Sequence, residues 1–319
     1  MTEQVTIGLD VGGTKVAAAR LAGQQIVERL TEPTDTSSGE ALLAQMVRLA
    51  EQLRTPEVVG LGAGIASEVE WESGHVLGSV NIPLGDLPVR DMLQESTGLR
   101  TAIDNDGIAT AVAEAIREDG SVVSELVAIA IGTGVGGGII INGKPYRGVT
   151  GGAGHLGHTI VAGDAAAERH LTPFPRPDSL EAQASGHALD SLARAAAEAG
   201  RGSLGAKHDA GEPVSGRDVV DAAQAGDQLA VELLRRFSER IAPGVANAIL
   251  VFDPQEVVIC GGVSAAGDLL INPLREVVAP LVLPGVGTKT TIRAARFGPD
   301  AGVIGAAMLP LLADQAGAS

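Results

Sequence analysis

The chain has 319 residues, 45% of them apolar and 19% charged, more than one compact core usually holds, which suggests a soluble enzyme of two lobes. A formal charge of −16 argues against nucleic acid or an anionic membrane as the main partner, although backbone N–H groups let an acidic protein bind phosphate. With a single cysteine, Cys260, no stretch of about 18 apolar residues and only 2% aromatics, the sequence disfavours internal disulfides, membrane spans and stacking on bases or bare sugar rings.

In chain order, residues 5–9 form an apolar run that ends in Asp10 and a Gly pair, and residues 16–21 form a second run. A strand, a tight Gly turn and a returning strand is the simplest reading, with a third strand at 25–27. Residues 38–53 have helical spacing, with Leu42, Leu43, Met46, Leu49 and Leu53 on one face. Strands at 58–63 and 101–103 follow. The latter runs into Asp104-Asn105-Asp106, and the Ala-rich stretch 107–117 is a helix that Asp106 could cap. The pattern then restarts with a strand at 126–131, the run Gly132-Thr133-Gly134-Val135-Gly136-Gly137-Gly138, and a strand at 139–141 ending at Asn142-Gly143. Residues 162–178 are Pro-rich and irregular, as in a surface loop. Helical patterns cover 179–199 and 227–251, a strand at 257–260 runs into Gly261-Gly262, and 300–313 reads as a last helix. The Gly-turn hairpin thus occurs at 5–21 and again at 126–142. That spacing is too long for a solenoid and suits duplication of one α/β lobe with a cleft between the copies.

Five motifs can carry chemistry. In Asp10-Val11-Gly12-Gly13-Thr14-Lys15 the glycines let the backbone approach a phosphate, Thr14 adds a hydroxyl, and Asp10 could hold Mg²⁺ through water. The same residues also suit a plain hairpin turn, and the ending is not that of a Walker loop. Gly132, Gly134 and Gly137 match GxGxxG after a strand. The strand that follows fits a phosphate-cradling hairpin better than the helix a dinucleotide fold needs. At Asp104-Asn105-Asp106, Asp106 could take the proton from a hydroxyl attacking a γ-phosphate while Asn105 bonds neighbouring hydroxyls, or the group is a simple helix cap. His155 and His158 are three apart among glycines that oppose a helix, and hence a paired metal site. Cys260-Gly261-Gly262-Val263-Ser264 could pack on an adenine or ribose, or be an ordinary βα turn.

The ordered series DVGGTK, DND, IGTGVGGG, GGAGxLGH, SLEAQASG and DPQEVVICGGVS resembles the ROK family of bacterial sugar kinases, from residue 5 to about 312. The resemblance implies an α/β, two-lobed actin/hexokinase-like fold with ribonuclease H-like lobes and a central cleft. Residues 1–120 with the C-terminal helix 301–319 would form the smaller lobe and 121–300 the larger. It implies ATP and Mg²⁺, with Asp10, Gly12, Gly13, Thr14, Lys15, Gly132, Thr133 and Gly134 at the phosphates and Gly261 and Gly262 on the adenosine side. Asp106 matches the family's general base, and Asn105, His158 and Glu181 match its sugar contacts. The implied setting is a cytoplasmic homodimer acting on a small-molecule sugar, with no nucleic-acid or membrane partner.

The departures from the family pattern bear on chemistry. The family's structural zinc uses the His of GGAGxxGH and a CxCGxxGCxE cluster. Here His158 is present but residues 159–181 contain no Cys, so no zinc is expected, with His170 and Asp178 as poor substitutes. His155 stands where the family usually has Glu, and Ala66-Ser67 where it has Pro-Gly, both beside the sugar hydroxyls. Neutral His donates one hydrogen bond and accepts one, whereas a carboxylate only accepts. His155 and Ser67 therefore point to a modified hexose, an amino sugar or a cyclitol rather than plain glucose. The expected reaction is phosphorylation of a hexose or modified hexose by ATP, at the 6-hydroxyl, with Asp106 as base, or alternatively of an amino sugar or cyclitol. A non-catalytic sugar sensor is one rival, opposed by a first strand expected at Val5, which leaves no room for a DNA-binding module, and by the acidic charge. A degenerate kinase that binds without turnover, and a dehydrogenase using residues 132–137, are the others.

Overall fold

The computed structural model describes residues 4–79, 82–162 and 175–316. The chain divides by contact into two units. The first contains residues 1–124, 138–154 and 300–319, and the second 125–137 and 155–299.

The first unit opens with β1 (Val5–Val11) and β2 (Lys15–Ala22), an antiparallel hairpin in which Asp10 pairs with Ala17. β3 (Gln25–Pro33) continues it antiparallel, far beyond the three residues its short apolar run suggests. Its exposed face is polar, so hydropathy hides most of its length. Then comes α1 (Gly39–Gln52), capped by the Ser38 hydroxyl, which accepts from Ala41 N. Leu42, Leu43, Met46, Leu49 and Leu53 are buried, as the helical spacing requires. β4 (Val58–Ile65) lies parallel to β1, and β5 (Glu68–Glu70) and β6 (His75–Gly78) form a small separate antiparallel pair. After α2 (Val89–Thr97), β7 (Thr101–Asn105) pairs parallel with β4 and leads into α3 (Asp106–Ala115). The sheet order is β3-β2-β1-β4-β7. The cap of α3 is Asn105 rather than Asp106: Asn105 has extended backbone and its Oδ1 accepts from Gly107 N, while Asp106 is already helical.

The pattern repeats with β8 (Leu126–Ile131), β9 (Val135–Ile141) and β10 (Lys144–Pro145). β9 starts inside the Gly run, four residues before its apolar part. A helical block follows: α4 (Leu180–Ala184), α5 (Gly186–Glu198), α6 (Gly202–Asp209), α7 (Gly216–Gln224) and α8 (Gln228–Phe252). The single helix expected over 179–199 is broken at Ser185, whose extended backbone ends α4 and whose hydroxyl caps α5. Asp227 caps α8, accepting from Leu229 and Ala230. β11 (Glu256–Cys260), α9 (Asp268–Val278) and β12 (Thr291–Ala294) complete a sheet of order β10-β9-β8-β11-β12, with β8, β11 and β12 parallel. The order matches that of the first sheet. The loop expected over 162–178 falls largely on residues 163–174, outside the described residues.

α10 (Ala301–Ala316) returns to the first unit and lies against β1 and β4. Gly8 and Gly62 face it there; a Cβ at either would collide with a helix carbonyl, of Val303 or Ala306. Each unit has its own apolar core: Ile7, Leu9, Leu61 and Leu93 are among the residues of one, Val127, Phe237, Ile259 and Leu274 among those of the other.

Candidate active site

In parallel α/β sheets, ligands collect at the carboxyl ends of the strands. In the first unit these ends bring Asp10, Ser67, Asn105 and Asp106 together. The β1–β2 turn is fastened from β3's side: the Thr34 hydroxyl donates to Gly12 O at 2.6 Å and Thr34 N to Thr14 O at 3.2 Å. Gly12 N donates to Lys15 O at 3.1 Å, while the amides of Gly13 and Thr14 meet no acceptor among the described residues. An exposed turn offering bare amides is a ready anion site. Lys15, the first residue of β2, is exposed.

Asp10 is part-buried, its carboxylate pressed on α10; a Cβ on Gly302 would sit 2.8 Å from Oδ2. Burial raises its pKa, and Lys15 and Arg29 oppose that rise. Its carboxylate makes no hydrogen bond among the described residues. A desolvated carboxylate with free oxygens suits a hard cation such as Mg²⁺ held through water. No group of three or more His, Cys, Asp or Glu is placed to hold a metal among the described residues.

Asp106 opens α3. Its Oδ1 accepts from Gly107 N at 2.8 Å. Burial, then the like charge of Asp10, raise its pKa to about 7, with hydrogen bonds from the Gly107 backbone opposing. The residue as a whole is half-buried. Asn105 Nδ2 donates to Ser67 O at 3.1 Å, which ties the ends of β7 and β4 together. The Ser67 side chain is buried and its hydroxyl donates to Gly78 O. Ala66 N donates to Val11 O at 3.0 Å, tying β4 to β1.

Behind Asp106 lies a pair that sequence reasoning missed. Asp104, 1% exposed, is met by Arg147, whose Nε and second guanidinium nitrogen both lie 2.8 Å from Oδ2. Burial raises Asp104 to about 6 against the pull of Arg147. Arg147 also stacks on Trp71, 3.8 Å from the ring centre. The partners are 43 residues apart and share no motif, so no spacing rule announces them.

In the second unit the β8–β9 turn holds Gly132, Thr133 and Gly134. Gly132 N donates to Gly134 O at 2.9 Å, and the amides of Thr133 and Gly134 have no acceptor among the described residues. Gly186 N, at the start of α5, donates to Gly132 O at 2.7 Å. Glu181, on α4, lies against the turn: its Oε2 accepts from Val135 N at 2.7 Å, and a Cβ on Gly134 would collide with it. Gly261 has φ +82°, and a Cβ there would collide with Ile131 O, so β11's exit passes directly beside the turn. Ser264 donates its hydroxyl to Gly261 O at 2.7 Å, and Gly262 starts a short 3₁₀ turn. His155 and His158 flank another 3₁₀ turn, exposed, with ring centres 6.0 Å apart. Gly157 between them backs onto Val135. His170 lies outside the described residues, and Asp178 accepts from Arg176 at 2.9–3.0 Å.

The first unit thus supplies a carboxylate near neutrality beside a bare-amide turn. The second supplies a matching turn with a glycine-lined strand exit. Such parts suit transfer of a phosphoryl group, which needs positioned donors and a proton acceptor more than covalent chemistry.

Comparison with known proteins agrees. The ROK family model matches residues 6–312. The glucokinase of Halalkalibacterium halodurans is 32% identical over 318 residues, covering 97% of this chain and 96% of that protein. The N-acetylmannosamine kinase of Citrobacter koseri is 35% identical over 313 residues, covering 95% and 98%. Among solved structures, a ROK family glucokinase from Streptomyces griseus in complex with glucose and AMPPNP has a TM-score of 0.78 at 29% identity, covering 96% of this chain and 98% of its own. The fold is of the two-lobed actin/hexokinase-like class.

Proposed function

The chain belongs to the ROK family, and from that premise we propose that this ATP-dependent sugar kinase phosphorylates the 6-hydroxyl of a modified hexose with Asp106 as general base. The observation that carries the reading is the Asp106 carboxyl, raised to about 7 at the β7–α3 junction beside Asn105 and near the charge of Asp10. A base poised near the working pH combines the right protonation state with a useful driving force.

In this mechanism the amides of Gly13, Thr14, Thr133 and Gly134 donate to the phosphates, with Lys15 beside them. Gly261 and Gly262 leave backbone open to the adenosine. Asp10 is the residue that would hold Mg²⁺, and the cation would offset charge building on the phosphate oxygens. Asp106 takes the proton of the attacking hydroxyl. The new O–P bond forms as the bond from the γ-phosphorus to the bridging oxygen breaks, and ADP leaves with that oxygen. Asn105, His158 and Glu181 are the proposed sugar contacts, with Ser67 and His155 setting specificity. Relatives that act on glucose and on N-acetylmannosamine bracket the substrate class. His155, able to donate, favours an acceptor carrying an acyl or amino group, or a cyclitol. We place the enzyme in the cytoplasm as a homodimer.

The test is a coupled ADP-release assay with Mg-ATP and a panel of glucose, mannose, glucosamine, N-acetylmannosamine, N-acetylglucosamine, 3-amino-3-deoxyglucose and inositol, with Asp106→Asn as control. Acceptor-dependent ADP release, lost in the control, is expected. Glucose having by far the best kcat/KM would sink the modified-hexose reading.

A further inference from the structure

We propose that Arg147 is a positioning residue for phosphoryl transfer: by holding Asp104 while stacked on Trp71, it fixes the Asn105–Asp106 junction in the geometry the reaction uses. The proposal rests on the reading of Asp106 as base.

Asp104 stands at a strand end where a carboxylate is costly. It is 1% exposed, and burying a carboxylate is costly unless it is paired and hydrogen-bonded. Here the two oxygens do different work. Oδ2 takes both guanidinium contacts, and Oδ1 accepts from Asn105 N at 3.0 Å. The backbone amide that sets the direction of the junction is therefore tied to the oxygen opposite the one Arg147 pins. Asn105 in turn holds Ser67 O through Nδ2 and Gly107 N through Oδ1. Asp106, the next residue, has its carboxylate direction set by this chain of bonds.

Arg147 is itself held from several sides. Its guanidinium lies 3.8 Å from the centre of the Trp71 ring, in the turn between β5 and β6. Its carbonyl accepts from Ala153 N at 3.0 Å, closing the loop 147–153. Gly151 in that loop abuts Val69 of β5, where a Cβ would collide with Val69 O. Arg147 thus joins the β5–β6 pair and the 147–153 loop to the strand end that precedes the candidate base.

A neutral strand end would avoid the desolvation that a buried ion pair suffers, and apolar replacement of such pairs is often neutral or stabilising. A pair kept one residue from Asn105 and two from Asp106 is explained by the orientation it imposes. Catalytic groups must be held within about 0.5 Å of their working geometry. Arginine suits the task because its planar head can stack and hydrogen-bond together, which lysine cannot reproduce.

The experiment measures kcat, KM for ATP and sugar, and Tm for R147M, R147K and the double variant R147M/D104N. It uses Mg-ATP and the best acceptor of the panel above, with D106N alongside. R147M strands a buried carboxylate and is expected to lose both stability and turnover. R147M/D104N removes both charges, so its Tm returns towards that of the wild type. Its kcat stays about tenfold or more below wild type, with KM for ATP within about threefold, because misplacement by about 1 Å can reduce rate a hundredfold. R147K, which keeps the charge without the planar stack, recovers only part of kcat. A double variant with wild-type Tm and kcat within about twofold, beside an inactive D106N, would overturn the clamp alone. Should R147M/D104N fold poorly, a folded R147K with wild-type kcat would overturn it as well. Full turnover in D106N sinks the base assignment instead, and with it what the clamp is proposed to position.

Discussion

The two glycine turns occupy equivalent places in equivalent sheets, yet they are built differently. The turn at Gly12, Gly13 and Thr14 is fastened by a neutral hydroxyl, that of Thr34, and lies near two carboxylates of raised pKa, Asp10 and Asp106. The turn at Gly132, Thr133 and Gly134 is fastened by a carboxylate, Glu181, and by the N-terminus of α5. In the first unit the carboxylates of raised pKa do not fasten the turn, and the anchor is neutral. In the second the carboxylate is itself the anchor. The same strand order thus carries a glycine turn in both units, while the proposed acid–base group lies in one.

The largest expected effect tests the first half of that contrast. Asp106→Asn keeps the shape and can still accept from Gly107 N but removes the proposed base, and kcat should fall about 10²–10⁴-fold. In the wild type, turnover should rise with pH and level off above about 7, where Asp106 has lost its proton. Stability moves the other way. The folded chain binds the Asp106 proton more tightly than the unfolded chain, whose carboxyl sits near the ordinary 3.8. Between about pH 4 and pH 7 the native state therefore holds the extra proton, and stability falls as pH rises through that window. Asp106→Asn lacks this loss. Its Tm should exceed the wild type's by a few degrees at pH 8, with the gap closing near pH 4. Equal Tm values at pH 8 would show that burial at this site is not strained by the charge.

The next effect separates the two turns. At Gly134 an added Cβ collides with Glu181, whose carboxylate is bound to Val135 N. At Gly12 it meets only Lys15 O at 3.4 Å, an ordinary contact. Gly134→Ala should therefore lower Tm by several degrees and raise KM for ATP about tenfold or more. Gly12→Ala should leave Tm unchanged and raise only KM, by the approach of its methyl group to a phosphate. If both variants change Tm equally, the two anchors do not differ in the way the contacts imply.

Much of this was legible in the sequence, for reasons that differ by residue. The hairpins showed because apolar runs flank Gly pairs, and the face of α1 showed because Leu42, Met46, Leu49 and Leu53 repeat at helical spacing. The Asp104-Asn105-Asp106 junction was visible as a polar cluster between a strand and an Ala-rich helix. The cap assignment slipped by one residue, since both side chains can accept from Gly107 N. The break at Ser185 was hidden because Ser-Gly between two apolar-patterned segments reads as helix when only periodicity is counted. Arg147 left no signal: a lone arginine after a turn acquires meaning only when folding brings it to Asp104 and Trp71.

The smallest effect is the most direct comparison of the anchors. Thr34→Val keeps the volume and removes the hydroxyl that donates to Gly12 O at 2.6 Å. A neutral hydrogen bond of this kind contributes about 1 kcal/mol net, so KM for ATP should rise about fivefold or less. Glu181→Gln in the other turn retains an oxygen that can accept from Val135 N but loses the charge that strengthens the bond. If the second turn depends on a charged anchor, E181Q should lose more ATP affinity than T34V, and the gap should narrow as salt is raised. A larger loss in T34V would mean that the neutral anchor bears more of the phosphate load. The division of labour between the units would then lie in the turns themselves rather than in what fastens them.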